Sequence, residues 1–239
     1  MLIALALATA DPTAFLAAVR AQDLARVERM LAENPSLASA RDEKGSAVGA
    51  ALGARRGDGF VPRRQNRVLD AVLRHGPKLT PWEICAIGTA EQVRAEISSD
   101  PALVKTYAPN GWTPLHAAAF ADNAAAAALL LAAGAEVNAR AKNKFDNTPL
   151  QVAMLSQASD AAKVLIAHGA EVDARMSEGA TALHEAAMNG DVVSIRMLLA
   201  AGADPSLTMP DGKTAVDLAK KAKHQEAARV LQTASAKKR

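Results

Sequence analysis

Thr113-Pro114-Leu115-His116-Ala117-Ala118-Ala119 is the stretch from which the rest of the chain can be read. The Thr113 hydroxyl can accept from the orphan amides of a first helical turn. Pro114 then falls at the first helical position, where its missing N–H has no partner to lose. The pattern returns as Thr148-Pro149-Leu150-Gln151, Thr181-Ala182-Leu183-His184 and Thr214-Ala215-Val216-Asp217, with the threonines 35, 33 and 33 residues apart. Gly134-Ala135, Gly169-Ala170 and Gly202-Ala203 close the first three blocks with the same 35 and 33 spacing. A glycine there suits the left-handed stop of a helix. Between opener and stop, the first block has a small-residue inner helix from Leu115 to Phe120, a polar break at Asp122-Asn123 and an outer helix carrying Leu129, Leu130 and Leu131.

A period near 33 residues with a T-P-L-H-x-A core resembles the ankyrin repeat, two antiparallel helices and a protruding turn. The resemblance is specific over 110–233 and rests on spacing alone over 12–109. It implies an all-α, ankyrin-like solenoid of about seven helix-turn-helix repeats in one continuous array. The expected repeats are 12–44, 45–79, 80–109, 110–144, 145–177, 178–210 and a partial 211–233, followed by a basic tail over 234–239. Lys220, Lys221, Lys223 and His224 make the last repeat polar, as a terminal cap should be.

The N-terminal half joins the scheme through its outer helices. Val192, Ile195, Leu198 and Leu199 occupy one helical face, and Leu24, Val27, Met30 and Leu31 repeat that spacing. Helix stops are expected at Asn34, Gly76, Asp100, Gly134, Gly169 and Gly202, with Asn34 read as a left-handed residue. The first intervals are 42 and 24 residues, which predicts an insertion over 54–67 and a missing turn in the third block.

Composition narrows the function classes. The single cysteine, Cys85, excludes an internal disulfide, and its apolar neighbours Ile84, Ala86 and Ile87 make it a core residue. No phosphate loop, paired-carboxylate spacing or HExxH is present, so no enzyme, cofactor or metal is expected. In the ankyrin family the motif's Thr and His tie adjacent turns together, which implies structural roles for His116 and His184. No apolar run approaches a membrane span. Leu2 to Leu7 is apolar and Ala8-Thr9-Ala10 has the form of a cleavage site, yet no basic n-region precedes it. Residues 1–11 read either as an apolar lead-in or as a signal-peptide remnant. The first reading places the protein in the cytoplasm, the second in the periplasm or outside the cell.

Partners of ankyrin-like arrays contact the turn tips and inner-helix ends, which together form a concave face. Carried onto this sequence, that pattern selects Trp112, Phe120, Phe145, Leu155 and Met188 as apolar anchors, with Asn110, Arg140 and Lys144 at the rim. Aromatics are only 3% of the chain, so rings gathered at those positions stand out. The alternative for each ring is local packing: Trp112 against its own turn, Phe145 plugging the longer tip. A second candidate surface is the basic cluster Arg55, Arg56, Arg63, Arg64 and Arg67, opposed within its segment only by Asp58. It would take an acidic partner or a nucleic acid, although Phe60 is the single ring available for stacking. The expected protein is a monomeric, non-catalytic scaffold that binds an unidentified protein partner and no nucleic acid.

Overall fold

The computed structural model describes residues 11–53, 55–56, 59–60 and 63–237. They fall into two compact units, 1–80 and 81–239, each taken by itself below.

In the first unit, helices α1 (Pro12–Arg20) and α2 (Leu24–Glu33) form one hairpin, and α3 (Ala47–Leu52) and α4 (Arg67–Leu73) form another. Helix α1 packs on α3, and α2 on α4. Phe15, Leu16, Val19, Val27, Leu31, Leu69 and Val72 are fully buried between them. Short polar side chains start each helix: Asp11, Asp23, Ser46 and Asn66 accept from an amide two or three residues on. Strands β1 (Arg41–Asp42) and β2 (Gly45–Ser46) make a turn before α3. The expected insertion lies between α3 and α4. It carries strands β3 (Arg55–Arg56) and β4 (Gly59–Phe60), paired Arg55 to Phe60 and Arg56 to Gly59. Ala54, Gly57, Asp58, Val61 and Pro62 of that segment, the lead-in 1–10 and Lys238-Arg239 lie outside the described residues.

The second unit stacks five hairpins. Inner helices α5 (Pro81–Ile87), α7 (Pro114–Phe120), α9 (Pro149–Leu155), α11 (Ala182–Asn189) and α13 (Ala215–Lys221) each pack on the next. Outer helices α6 (Ala90–Ser99), α8 (Ala124–Ala132), α10 (Ser159–Ala167), α12 (Val192–Ala200) and α14 (Gln225–Lys237) do the same behind them. Alanines at 118, 119, 153, 186, 187 and 219 let inner helices approach closely, while Leu130, Leu165, Leu198 and Leu231 are fully buried on the outer ones. Each such leucine is worth about 2 kcal/mol of burial. Helix α14 runs to Lys237, so most of the expected basic tail is helical.

Two ways of ending an outer helix appear. Gly134, Gly169 and Gly202 take positive φ, as their spacing predicts. Asn34 does not: its φ is −145°, and Asp100 matches it at −137°. Both precede a proline, whose ring excludes the helical region for the residue before it. Their side chains instead cap the following 3-10 turns, Asn34 accepting from Ser36 N at 3.2 Å and Asp100 from Ala102 N at 3.1 Å.

One helix start is capped from another repeat. Helix α10 follows Ala158, which has no side-chain acceptor. Asp122, on the turn between α7 and α8, supplies it: its Oδ1 accepts from Asp160 N at 2.9 Å and Ala161 N at 3.0 Å.

Candidate functional site: the turn tips and inner-helix ends of the second unit

The turns before α7, α9, α11 and α13 are closed hairpins. Ala108 N donates to Trp112 O at 2.8 Å, Ala141 N to Asn147 O at 2.9 Å, Met176 N to Ala180 O at 2.8 Å and Met209 N to Lys213 O at 2.9 Å. The second hairpin spans two residues more than the others, which is where the 35-residue interval of the sequence is spent. Lys144 and Phe145 sit in that longer tip.

Neighbouring tips are stitched to one another. Lys142 N donates to Gly111 O at 2.8 Å, and Asn143 Nδ2 to Asn110 O at 3.0 Å. Ser177 N donates to Phe145 O at 3.1 Å, and its hydroxyl to Lys144 O at 2.7 Å. Arg140 donates to Asp146 and, at 2.7 Å, to Arg175 O; Arg175 in turn donates to Thr208 O at 2.7 Å. The tips therefore form one hydrogen-bonded row.

The motif residues hold this row to the helices. His116 Nε2 donates to Asn147 O at 3.0 Å, so Nδ1 is the acceptor for the Thr113 hydroxyl at 2.7 Å and Thr113 N at 3.2 Å. That fixes the neutral tautomer, and burial pushes the His116 pKa down to about 4. Gln151 plays the same part, accepting from Thr148 N at 2.8 Å and donating to Ala174 O at 2.6 Å. Cys85 is fully buried, and burial with the nearby Glu96 pushes its thiol up to about 12. Neither group is available for acid–base or nucleophilic chemistry at neutral pH.

The expected anchors separate into two groups. Phe145 and Met188 are 46% and 45% exposed, large apolar side chains open to solvent. Phe120 is not: at 8% exposure it is drawn under Trp112, the two ring centroids 5.2 Å apart. Trp112 also stacks on His116 with centroids at 6.4 Å, which leaves it half-buried. Phe120 thus packs against Trp112 and is itself buried. Leu155 is half-buried. At the rim, Asn110 is occupied in its own turn, accepting from Trp112 N at 3.0 Å, and Arg140 is occupied by Asp146 and Arg175. Lys144 remains outward, its Nζ 4.9 Å from the Phe145 ring, and Lys142 lies 4.0 Å over Tyr107.

Sequence reasoning passed over Val193, 63% exposed on α12 and off the apolar stripe of that helix, and Lys142 with Tyr107. It also passed over Glu185, a carboxylate only 5% exposed at a position that other inner helices fill with Ala117 or Val152. In the basic cluster, Arg63 pairs with Asp70 at 2.8 Å, a partner just beyond the segment in which Asp58 was counted, and Arg67 opens α4. Among the described residues, no group of three or more potential metal ligands comes together. None of the described helices is long and apolar enough to cross a membrane.

Two family models match the chain. One, described as ankyrin repeats (3 copies), covers residues 84–176, and the other, ankyrin repeats (many copies), covers 165–219. No curated protein matches it. Ankyrin repeats are in general protein–protein interaction modules and non-catalytic scaffolds. With the helical hairpins stacked as described and the matched stretches running together from 84 to 219, the chain belongs to the ankyrin repeat proteins.

Proposed function

We propose that this protein is a non-catalytic scaffold that binds a partner protein along the row of turn tips and inner-helix ends of its second unit, the concave face of an ankyrin array. Phe145 and Met188 supply the apolar contacts, the exposed part of Trp112 extends them, and Lys144 lies at the rim. The observation that carries this reading is a hydrogen-bonded row of tips bearing the exposed Phe145, with the exposed Met188 at the end of inner helix α11. A surface already held in place loses little ordering entropy on association, so modest contacts yield useful affinity. Aromatic and methionine side chains are favoured at such contacts because they bury much area for few rotatable bonds.

The test is a comparison of variants. Cross-linking from a probe placed at residue 144 identifies the partner in the native host, and its affinity is then measured for wild type, Phe145→Ala and Met188→Ala. Each substitution weakens binding at least about tenfold while the helical circular dichroism is unchanged. Unaltered affinity in both variants refutes the assignment.

A further inference from the structure

We propose that Glu185 makes the α11–α12 hairpin a pH-responsive part of the array: ionisation of its enclosed carboxyl loosens the hairpin as the pH rises, and with it the platform under Met188. The consequence for partner binding rests on the function proposed above; the titration does not.

The geometry sets Glu185 apart from its counterparts. The side chain is 5% exposed, and its Oε2 is enclosed by protein with no hydrogen-bond partner. A carboxylate oxygen buried without a donor disfavours the ionised form more than the neutral acid, so this enclosure favours protonation. The surroundings offer no cation to offset this. Helix α9, on one side, carries no titratable side chain. Helix α12 carries Arg196, whose side chain is 60% exposed and 3.5 Å from Glu226. Helix α13, on the other side, carries Asp217, bound to Thr214, and Lys220 and Lys221, which are exposed in its last turn. In the turns, Lys213 is paired with Asp211, and Arg175 donates to Gly179 O and Thr208 O. The adjoining His184 has its own Nε2 unpartnered and is kept neutral by burial. The charge that acts on Glu185 is that of Glu178, which opposes ionisation further.

Burial first, and Glu178 second, raise the pKa of Glu185 from 4.5 to about 7. The folded hairpin therefore holds a proton that the unfolded chain releases. The contribution of Glu185 to stability is greatest below pH 4.5, falls as pH rises toward 7, and is level above it. Met188 lies three residues along the same helix, so an opening of α11 displaces an exposed contact residue.

Hydrogen exchange of the full-length protein, corrected for intrinsic rates and followed over peptides covering 182–200 from pH 4.5 to 8.5, tests the proposal. Relative to Glu185→Gln, which cannot ionise, wild-type protection falls with pH by up to a factor on the order of a hundred. Identical profiles for the two overturn it. Should Glu185→Gln fail to fold, the carboxyl carbon of Glu185 is titrated by NMR in the wild type. A midpoint near neutrality supports the proposal, and one in the ordinary glutamate range overturns it.

Discussion

The repeats opened by Thr113 and by Thr181 share the same motif and use it to different extents. In the first, every polar atom of His116 is engaged, the next position is Ala117, and Trp112, backed by Phe120, stacks on the ring. In the second, His184 Nδ1 keeps the Thr181 hydroxyl at 2.9 Å and Thr181 N at 3.3 Å while Nε2 has no partner, and Glu185 follows where the first has alanine. The α11–α12 turn also depends on a close approach. Gly190 has φ of +68°, and a Cβ there would run into the imidazole of His224. A shared framework thus yields one saturated repeat and one held under unfavourable local terms. Repeat arrays tolerate this because neighbouring interfaces share the burden of stability.

The largest expected effect separates the two histidines. His116→Ala leaves Asn147 O and the Thr113 donors unpaired and opens a cavity beside Trp112, and costs about 3 kcal/mol. His184→Ala has less to break and costs about half as much. Urea denaturation of both variants measures the gap, and equal losses would erase the distinction. The second effect is acid sensitivity. His116 has a folded pKa of about 4, below its unfolded 6.5, so its contribution is whole above 6.5 and lost as pH falls toward 4. That loss is up to about 3 kcal/mol. Glu185 acts in the opposite sense, so the comparison that isolates the histidine is wild type against His116→Gln at each pH. Absence of any difference below pH 6 would contradict the buried neutral ring.

Two smaller effects sharpen the contrast. Gly190→Ala costs about 1–2 kcal/mol, from backbone strain and collision with His224. Truncating His224 to alanine as well recovers part of that loss, and thermal melts of the single and double variants report it. Asp122→Ala strips the start of α10 of the carboxylate that accepts from two of its amides and costs about 1 kcal/mol. Faster hydrogen exchange in residues 160–162 locates that loss; an effect confined to α8 would refute the cap between repeats.

Much of the frame was legible because its determinants are local. Threonine caps, prolines at the first helical position and glycine stops act within a few residues of themselves, so spacing alone located them. The stop at Asn34 was misread although its signal, the proline that follows, was adjacent. Thr80-Pro81-Trp82-Glu83 likewise carries the opener of the third repeat in plain view. The site was less legible. Whether Phe120 faces solvent depends on where the Trp112 ring lies, and no period encodes a rotamer. The reach of Asp122 to a helix 38 residues on could not be read from its own neighbourhood. Glu185 could have been found by aligning the four openers and asking which residue breaks the apolar column.

The longer tip between Gly134 and Thr148 carries a wider consequence. Two additional residues enter the chain there, yet α8 and α9 still meet α10 and α7 as their counterparts do, because the loop absorbs the whole increment outside the stack. What a visiting molecule touches can therefore be lengthened, shortened or rewritten while the scaffold keeps its register, and the most adjustable part of this molecule is also the part it presents to the outside.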